Sequence, residues 1–276
     1  DVPYSLLTIY ERWLHGGAWM SLETAAIHLG RLLLGAGIGL VAQDDDVFVG
    51  YAEAYISAEA EPFGTHLHLG GLFIHPDGDP LAIGAALMTA LRQTAKASKC
   101  VRLTTTPTAG EMALRLFDQH EASPLVRLRR FSLPARTGQG LYQSVADATT
   151  DARQITGWVM PIGRTSSARQ EWENLWHPTW DVLSQIKART QRLRFAVSGQ
   201  DAFVVFQRGL YNPRTVEVAC WSPRGLNSAL LMSLRDWAYR ENYRTLTLLV
   251  TEATISTLGA DAEADGYLYD VLALGV

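Results

Sequence analysis

Leu72-Phe-Ile-His-Pro-Asp-Gly-Asp-Pro-Leu-Ala-Ile-Gly-Ala-Ala-Leu-Met88 is the stretch on which the reading of the fold turns. It closes an apolar run that predicts a strand over 66–74. Proline and glycine then break the run from Pro76. Beyond the break, Ile83, Leu87 and Leu91 recur at the spacing of one helix face. A β-branched run over 101–106 predicts the next strand.

The same succession returns in the second half of the chain. A strand is predicted over 215–221, Pro223 opens a loop, and Leu226, Leu230 and Leu234 repeat the helical spacing. Each helix carries a Leu-Arg pair, Leu91-Arg92 and Leu234-Arg235, and the second leads into a strand over 245–250. Upstream of each unit lies a hairpin. Gly39-Leu-Val-Ala42, an acidic turn at Asp44-Asp45-Asp46 and Val47-Phe-Val-Gly-Tyr51 form the first; Arg194-Phe-Ala-Val197, a turn over 199–201 and Ala202-Phe-Val-Val-Phe206 form the second. Earlier still come helices over 5–15 and 21–34, broken at Gly16-Gly17, and a helix over 167–176, broken at Pro178 before another starting at Asp181. Each break carries a histidine and then a tryptophan, His15 and Trp19, His177 and Trp180. Strands over 131–134 and 267–274 close the two halves. Ordered repetition of this kind is the signature of duplication. It predicts an α+β protein of two units, 1–135 and 154–276, joined by a polar linker over 136–153, each unit a mixed, mostly antiparallel sheet flanked by helices. Residues 155–162 supply an opening strand to the second unit. Nothing before Ser5 does so for the first, so that strand lies upstream of Asp1 or the first sheet is one strand short.

Composition narrows the partners. The 276 residues are 47% hydrophobic and 19% charged with a net charge of −4, an ordinary globular balance. Such a charge gives no general attraction to nucleic acid or an anionic membrane. No apolar run reaches the roughly 20 residues that span a bilayer. Cys100 and Cys220 are the only cysteines, too few for a disulfide framework or a cysteine metal site. The expected compartment is a reducing cytoplasm, and scarce lysine with abundant alanine suggests a bacterial source. No histidine pair has metal-ligand spacing, so no metal is expected.

The order helix, helix, three strands, glycine-containing loop, helix, strand, helix, strand resembles the GNAT N-acetyltransferases. Residues 73–88 are similar to that family's central strand, cofactor loop and following helix, where a Gln/Arg-x-x-Gly-x-Gly/Ala signature lies. Small residues there let the backbone approach the CoA pyrophosphate, and amides at the helix N-terminus bind it. Placed without gaps, the signature falls on Asp79, Ala82 and Gly84. The last position is kept, the middle one is changed conservatively, and the basic one becomes an acid that repels a pyrophosphate unless it points away. The resemblance implies acetyl-CoA as cosubstrate, held by Phe73, Ile74, Asp79, Leu81, Ala82, Ile83, Gly84 and Ala85. Gly84 would lie against phosphate, and the backbone of Phe73 and Ile74 would polarise the thioester carbonyl. The second loop, from Ser222 to Asn227, is four residues shorter and reads as structural, leaving one cofactor site per chain.

Acetyl transfer to an amine needs a base and often an acid for the leaving thiolate. Some members of the family carry the base on the central strand, where the matching residue here is His68, a group that titrates near neutrality. Glu53 on the neighbouring strand is the other candidate. Many members place a proton-donating tyrosine in an Asn-x-x-Ala-x-x-Leu-Tyr run; the matching positions are Gly110 and Phe117, and phenylalanine has no proton to give. The implied function is an acetyl-CoA-dependent N-acetyltransferase acting on a small-molecule or peptide amine, with a homodimer admitted. Asp79, Gly110 and Phe117 motivate the alternative of a noncatalytic acyl-CoA-binding regulator. Trp172, Trp176 and Trp180 are read as core or interface packing. Arg127, Arg129 and Arg130 are read as a solvated or edge face of a strand.

Overall fold

In the computed structural model, residues 2–138 and 140–276 are described. The first unit runs α1 (Ile9–Gly16), α2 (Leu22–Arg31), β1 (Ile38–Asp44), β2 (Val47–Ala58), β3 (Thr65–Ile74), α3 (Pro80–Ala97), β4 (Arg102–Thr105), α4 (Glu111–Gln119) and β5 (Ser123–Pro134). The second runs β6 (Tyr142–Ala146), β7 (Val159–Ile162), α5 (Ala168–Glu171), α6 (Ser184–Lys187), β8 (Thr190–Val197), β9 (Gln200–Arg208), β10 (Thr215–Ser222), α7 (Ser228–Arg240), β11 (Thr245–Thr251), α8 (Glu252–Leu258) and β12 (Glu263–Gly275). Local chemistry sets several boundaries. Thr8 and Glu11 form a capping box that starts α1, and Gly17, at φ 76°, ends it. Ser21 caps α2, which runs into a π turn over Leu32–Ala36. No described helix is long and apolar enough to cross a membrane.

All twelve strands join one continuous sheet, in the order β1-β2-β3-β4-β12-β5-β11-β7-β10-β9-β8-β6. Its centre shows the duplication directly. The closing strand of each unit crosses into the other: β12 pairs with β4, and β5 pairs with β11. The two closing strands also pair with each other, Val126 opposite Val271 and Arg129 opposite Leu268. Read from either end, β4-β12-β5-β11 presents the same arrangement, so an approximate two-fold relates the units. One expectation holds in part: Arg127, Arg129 and Arg130 are solvent-exposed, but their strand lies inside the sheet rather than at an edge, and Arg127 and Arg130 pair across to Asp270 and Asp265 of β12.

A second correction concerns the start of the second unit. Its outer strand is β6, which lies within the stretch 136–153 and pairs along β8. Residues 155–162 do not open the sheet. They contain β7, which inserts between β10 and β11 where those parallel strands part: Ile162 lies opposite both Cys220 and Val250. Gly163 follows at φ 83° and donates its amide to the Leu249 carbonyl at 2.8 Å. A Cβ at Gly163 would sit 2.5 Å from the Val218 carbonyl oxygen, so only glycine fits this crotch. Among the described residues the first unit has no strand outside β1 and none in its fork, so it has two strands fewer than its copy, which adds β6 and β7.

Each unit has its own core. Leu67, Leu69, Leu87, Leu91 and Phe117 are buried together in the first, joined by Leu274 from β12. Val204, Phe206, Leu234, Trp237 and Leu248 anchor the second. Trp172 and Trp176 pack with Phe203 and Trp221 in a separate buried cluster. Between the units sits a buried ion pair. Arg164, 2% exposed, reaches both carboxylate oxygens of Glu59, which also accepts from the Ser57 hydroxyl at 2.9 Å and the Ala168 amide at 3.0 Å. Burial alone would raise the Glu59 carboxyl, but the charges of Arg164 and His66 outweigh it and hold the group below its ordinary value of 4.5. Its contribution to stability is therefore complete above that value and is lost as pH falls through the lower, folded one.

Replacing Arg164 by Met strands a buried carboxylate and should cost about 3–5 kcal/mol in urea unfolding at neutral pH; a cost under about 1 kcal/mol would mean the pair is not what joins the units. Gly163→Ala should cost about 3 kcal/mol, because its methyl meets backbone rather than a movable side chain. An unchanged denaturation midpoint would show that β7 does not lie in the fork.

Candidate active site

The site starts where β3 leaves β4. Their parallel pairing runs from His66 opposite Arg102 to Leu69 opposite Thr105 and stops there. β3 then bulges: Ala54 of β2 faces Leu69, but Glu53 faces Gly71, leaving Gly70 as the extra residue. β3 continues to Ile74 while the other chain turns away through a short 3-10 turn at Pro107–Ala109. The result is a fork with unpaired β3 backbone on one wall. In the second unit the corresponding fork is filled by β7. Side chains lie over both bulge positions and favour glycine there. A Cβ at Gly70 would be 2.6 Å from the Gln170 carboxamide, and one at Gly71 would be 3.1 Å from Glu53 Cγ.

The start of α3 lies beyond the end of β3. Asp79 is its N-cap, and Oδ1 accepts from the Leu81 amide at 2.9 Å and the Ala82 amide at 3.2 Å. Pro80 has no amide hydrogen to offer. The acid therefore points at the donors a pyrophosphate would use. Leu81, Ala82 and Ala85 are exposed at this end, but Ile83 and Gly84 turn inward. Ile83 packs against Gly50 and Gly78, where a Cβ would come within 2.5 Å of it. Gly84 is buried, and a Cβ there would lie a tight 3.3 Å from Leu116, so its smallness serves the packing of α3 on α4. The open fork and small exposed residues fit an acyl-CoA arm; the capped amides fit its pyrophosphate only if Asp79 releases them.

On the side of the sheet away from α3, the fork meets a cavity of about 410 Å³ between the units. Gly70, Glu53, His28 and Trp19 line it from the first unit; Gln170, Glu171, Trp180 and Arg189 line it from the second. Glu53 is buried and its Oε2 lies 2.7 Å from His28 Nε2. The Trp19 ring packs 5.4 Å from His28, 5.2 Å from Tyr51 and 5.5 Å from Phe73, and Trp13 lies 4.2 Å from Trp180. Burial and the Glu53 charge push the Tyr51 hydroxyl up, so it stays protonated. A carboxylate among aromatic faces is a receptor for an ammonium group.

His68 does not line this cavity. It is 1% exposed, its Nδ1 lies 2.9 Å from the Thr104 hydroxyl, and burial holds its pKa well below the ordinary value. Phe117 is fully buried in the first core. Of the two candidate bases, the geometry brings only Glu53 to the cavity. Sequence reasoning missed His28, Trp19, Gln170 and Glu171. A lone histidine on a helix carries no signal, and the second-unit residues reach the site only through the packing between units.

The chain is similar to known proteins in both sequence and shape. Residues 4–121 match the model of the Acetyltransferase (GNAT) family. The match covers the first unit. No curated protein gives a significant sequence match. A GCN5-related N-acetyltransferase from Anabaena variabilis superposes with a TM-score of 0.59 at 12% identity, over 92% of this chain and 66% of that one. Eis1 from Mycobacterium abscessus gives 0.55 at 14%, over 85% and 62%. A GCN5-related N-acetyltransferase from Kribbella flavida gives 0.53 at 15%, over 97% and 65%. At these identities the likeness is one of fold, and the chain spans just under two thirds of each of those structures.

Asp79→Asn keeps an N-cap but removes the charge from the start of α3. CoA affinity measured by calorimetry at low salt should rise roughly tenfold. Unchanged or weaker binding would exclude this helix end as the pyrophosphate seat.

Proposed function

We propose that the protein is an acetyl-CoA-dependent N-acetyltransferase acting on a small-molecule or peptide amine, with a single cofactor site in the first unit. The observation that carries this reading is the meeting of the open β3–β4 fork with a cavity that holds Glu53. Acetyl-CoA in the fork would supply an activated thioester. The His75 amide donates to Val49 of β2, so by strand alternation Phe73 also faces β2 and Ile74 faces the fork. The Ile74 amide offers a donor to the carbonyl oxygen, and Leu81, Ala82 and Ala85 give its phosphates a close approach. In the cavity, Glu53 binds the acceptor ammonium and takes its proton, with His28 fixing the carboxylate. The free amine adds to the carbonyl, the carbon–sulfur bond breaks, and water protonates the thiolate, since Phe117 cannot. The second unit acts as wall and support, its own fork being filled.

A second reading, a noncatalytic acyl-CoA-binding regulator, draws on the Asp79 cap and on Phe117. Single-turnover transfer of labelled acetyl groups to amines separates the two. In the transferase, Glu53→Gln should keep CoA affinity within about twofold and slow transfer by roughly a hundredfold or more, the scale of a lost general base. Full activity in that variant would remove Glu53 from the chemistry. Calorimetry should give one CoA site per chain; two equivalent sites would contradict the filled second fork.

A further inference from the structure

The reaction read above uses one buried carboxylate of the cavity and leaves another without a task. Glu171 ends α5 and is 3% exposed. Its Oε1 accepts from the Thr165 amide at 3.1 Å, from the Ser166 hydroxyl at 2.8 Å and from the Thr165 hydroxyl. Its other oxygen has no hydrogen-bond partner, and Glu171 belongs to no ion pair among the described residues. The guanidinium of Arg164 close by is committed to Glu59. Burial pushes the Glu171 carboxyl above its ordinary range, and its hydroxyl and amide donors offset that only in part. A buried carboxylate without a cation is costly, and the cost falls when a ligand brings one.

The cavities around Glu171 indicate where such a ligand would lie. Glu171 lines the cavity that holds Glu53 and also a second one of about 270 Å³, over the face of β9, β10 and β11. Thr165, Leu175 and Gln207 are shared by the two walls, so the spaces adjoin. The far cavity is lined by Val205, Val218 and Leu249, with Glu217 as a further acid; its one arginine, Arg130, is paired to Asp265. A chain entering past Glu53 thus meets a second carboxylate and then an apolar slot.

We propose that the acceptor carries a second basic nitrogen, as diamines and longer polyamines do, and that Glu171 binds this second ammonium from the second-unit wall. The assignment rests on the amine-acceptor reading of the cavity. It gives the second unit, whose own fork is filled, a part in choosing the substrate of the first. Glu171 is a specificity-determining residue on this account, and the reacting nitrogen stays with Glu53.

The test is calorimetry with CoA present, comparing α,ω-diaminoalkanes of varied length with n-alkylamines of matched length, with transfer rates measured beside it. A charge-assisted hydrogen bond predicts that the best diamine binds roughly tenfold or more tighter than its monoamine. In Glu171→Gln that ratio should fall to about one, and in Glu171→Asp it should survive in part. Equal binding of diamines and monoamines, or a preference that persists in Glu171→Gln, overturns the proposal. Retained CoA affinity in each variant shows that the fold is intact. A Glu171-dependent preference without transfer to any amine overturns the transferase reading and leaves the second ammonium site standing.

Discussion

The Arg164–Glu59 pair fixes the position of nearly everything else at the site. Glu59 follows β2 of the first unit, and Arg164 follows β7 of the second. Because the same carboxylate also accepts from the amide of Ala168, the first residue of α5, the pair anchors the start of that helix. The next turn then falls into place: Gln170 lies over the bulge at Gly70, and Glu171 faces the cavity. An interaction buried this deeply contributes less to net stability than its Coulomb energy suggests, since both charges were removed from water. Its effect is on geometry. A guanidinium fork and a carboxylate meet in few orientations, which narrows where α5 can start.

The two copies also show how one fold keeps or loses a ligand cleft. Two parallel strands that part leave unpaired backbone, which must be met by a ligand, by water or by more protein. The second unit met it with protein. β7 supplies the missing hydrogen bonds, Ile162 fills the apolar space, and Gly163 lets the chain leave the crotch. The first unit kept its fork open and placed glycines at the bulge, where side chains from both units close over the strand.

Much of the architecture could be read from residues. Strand-loop-helix succession at 66–91 and again at 215–234, and paired hairpins before them, located most elements to within a few residues. Two things could not be read. The exchange of β5 and β12 depends on which edge each closing strand prefers, and alternating apolar residues specify a face, not a neighbour. The filling of the second fork by β7 is equally silent, because an apolar strand reads the same whether it opens a sheet or plugs one. For the site, Glu53 was legible as an acid in an apolar strand. His68 misled because its strand position matched a family pattern, while its burial depends on contacts distant in sequence, such as that with Thr104. The role of Asp79 required the side-chain direction, which no spacing conveys.

The exchanged strands have a consequence for how the protein is made. β4 gains its neighbour β12 only after that strand has left the ribosome, and β5 waits for β11 in the same way. The first half cannot finish its sheet until the second has been made, so it stays open-edged while the second is synthesised. Pairings so distant in sequence are slow to form. Splitting the gene at the junction between the halves would therefore yield two pieces with bare β edges rather than two domains.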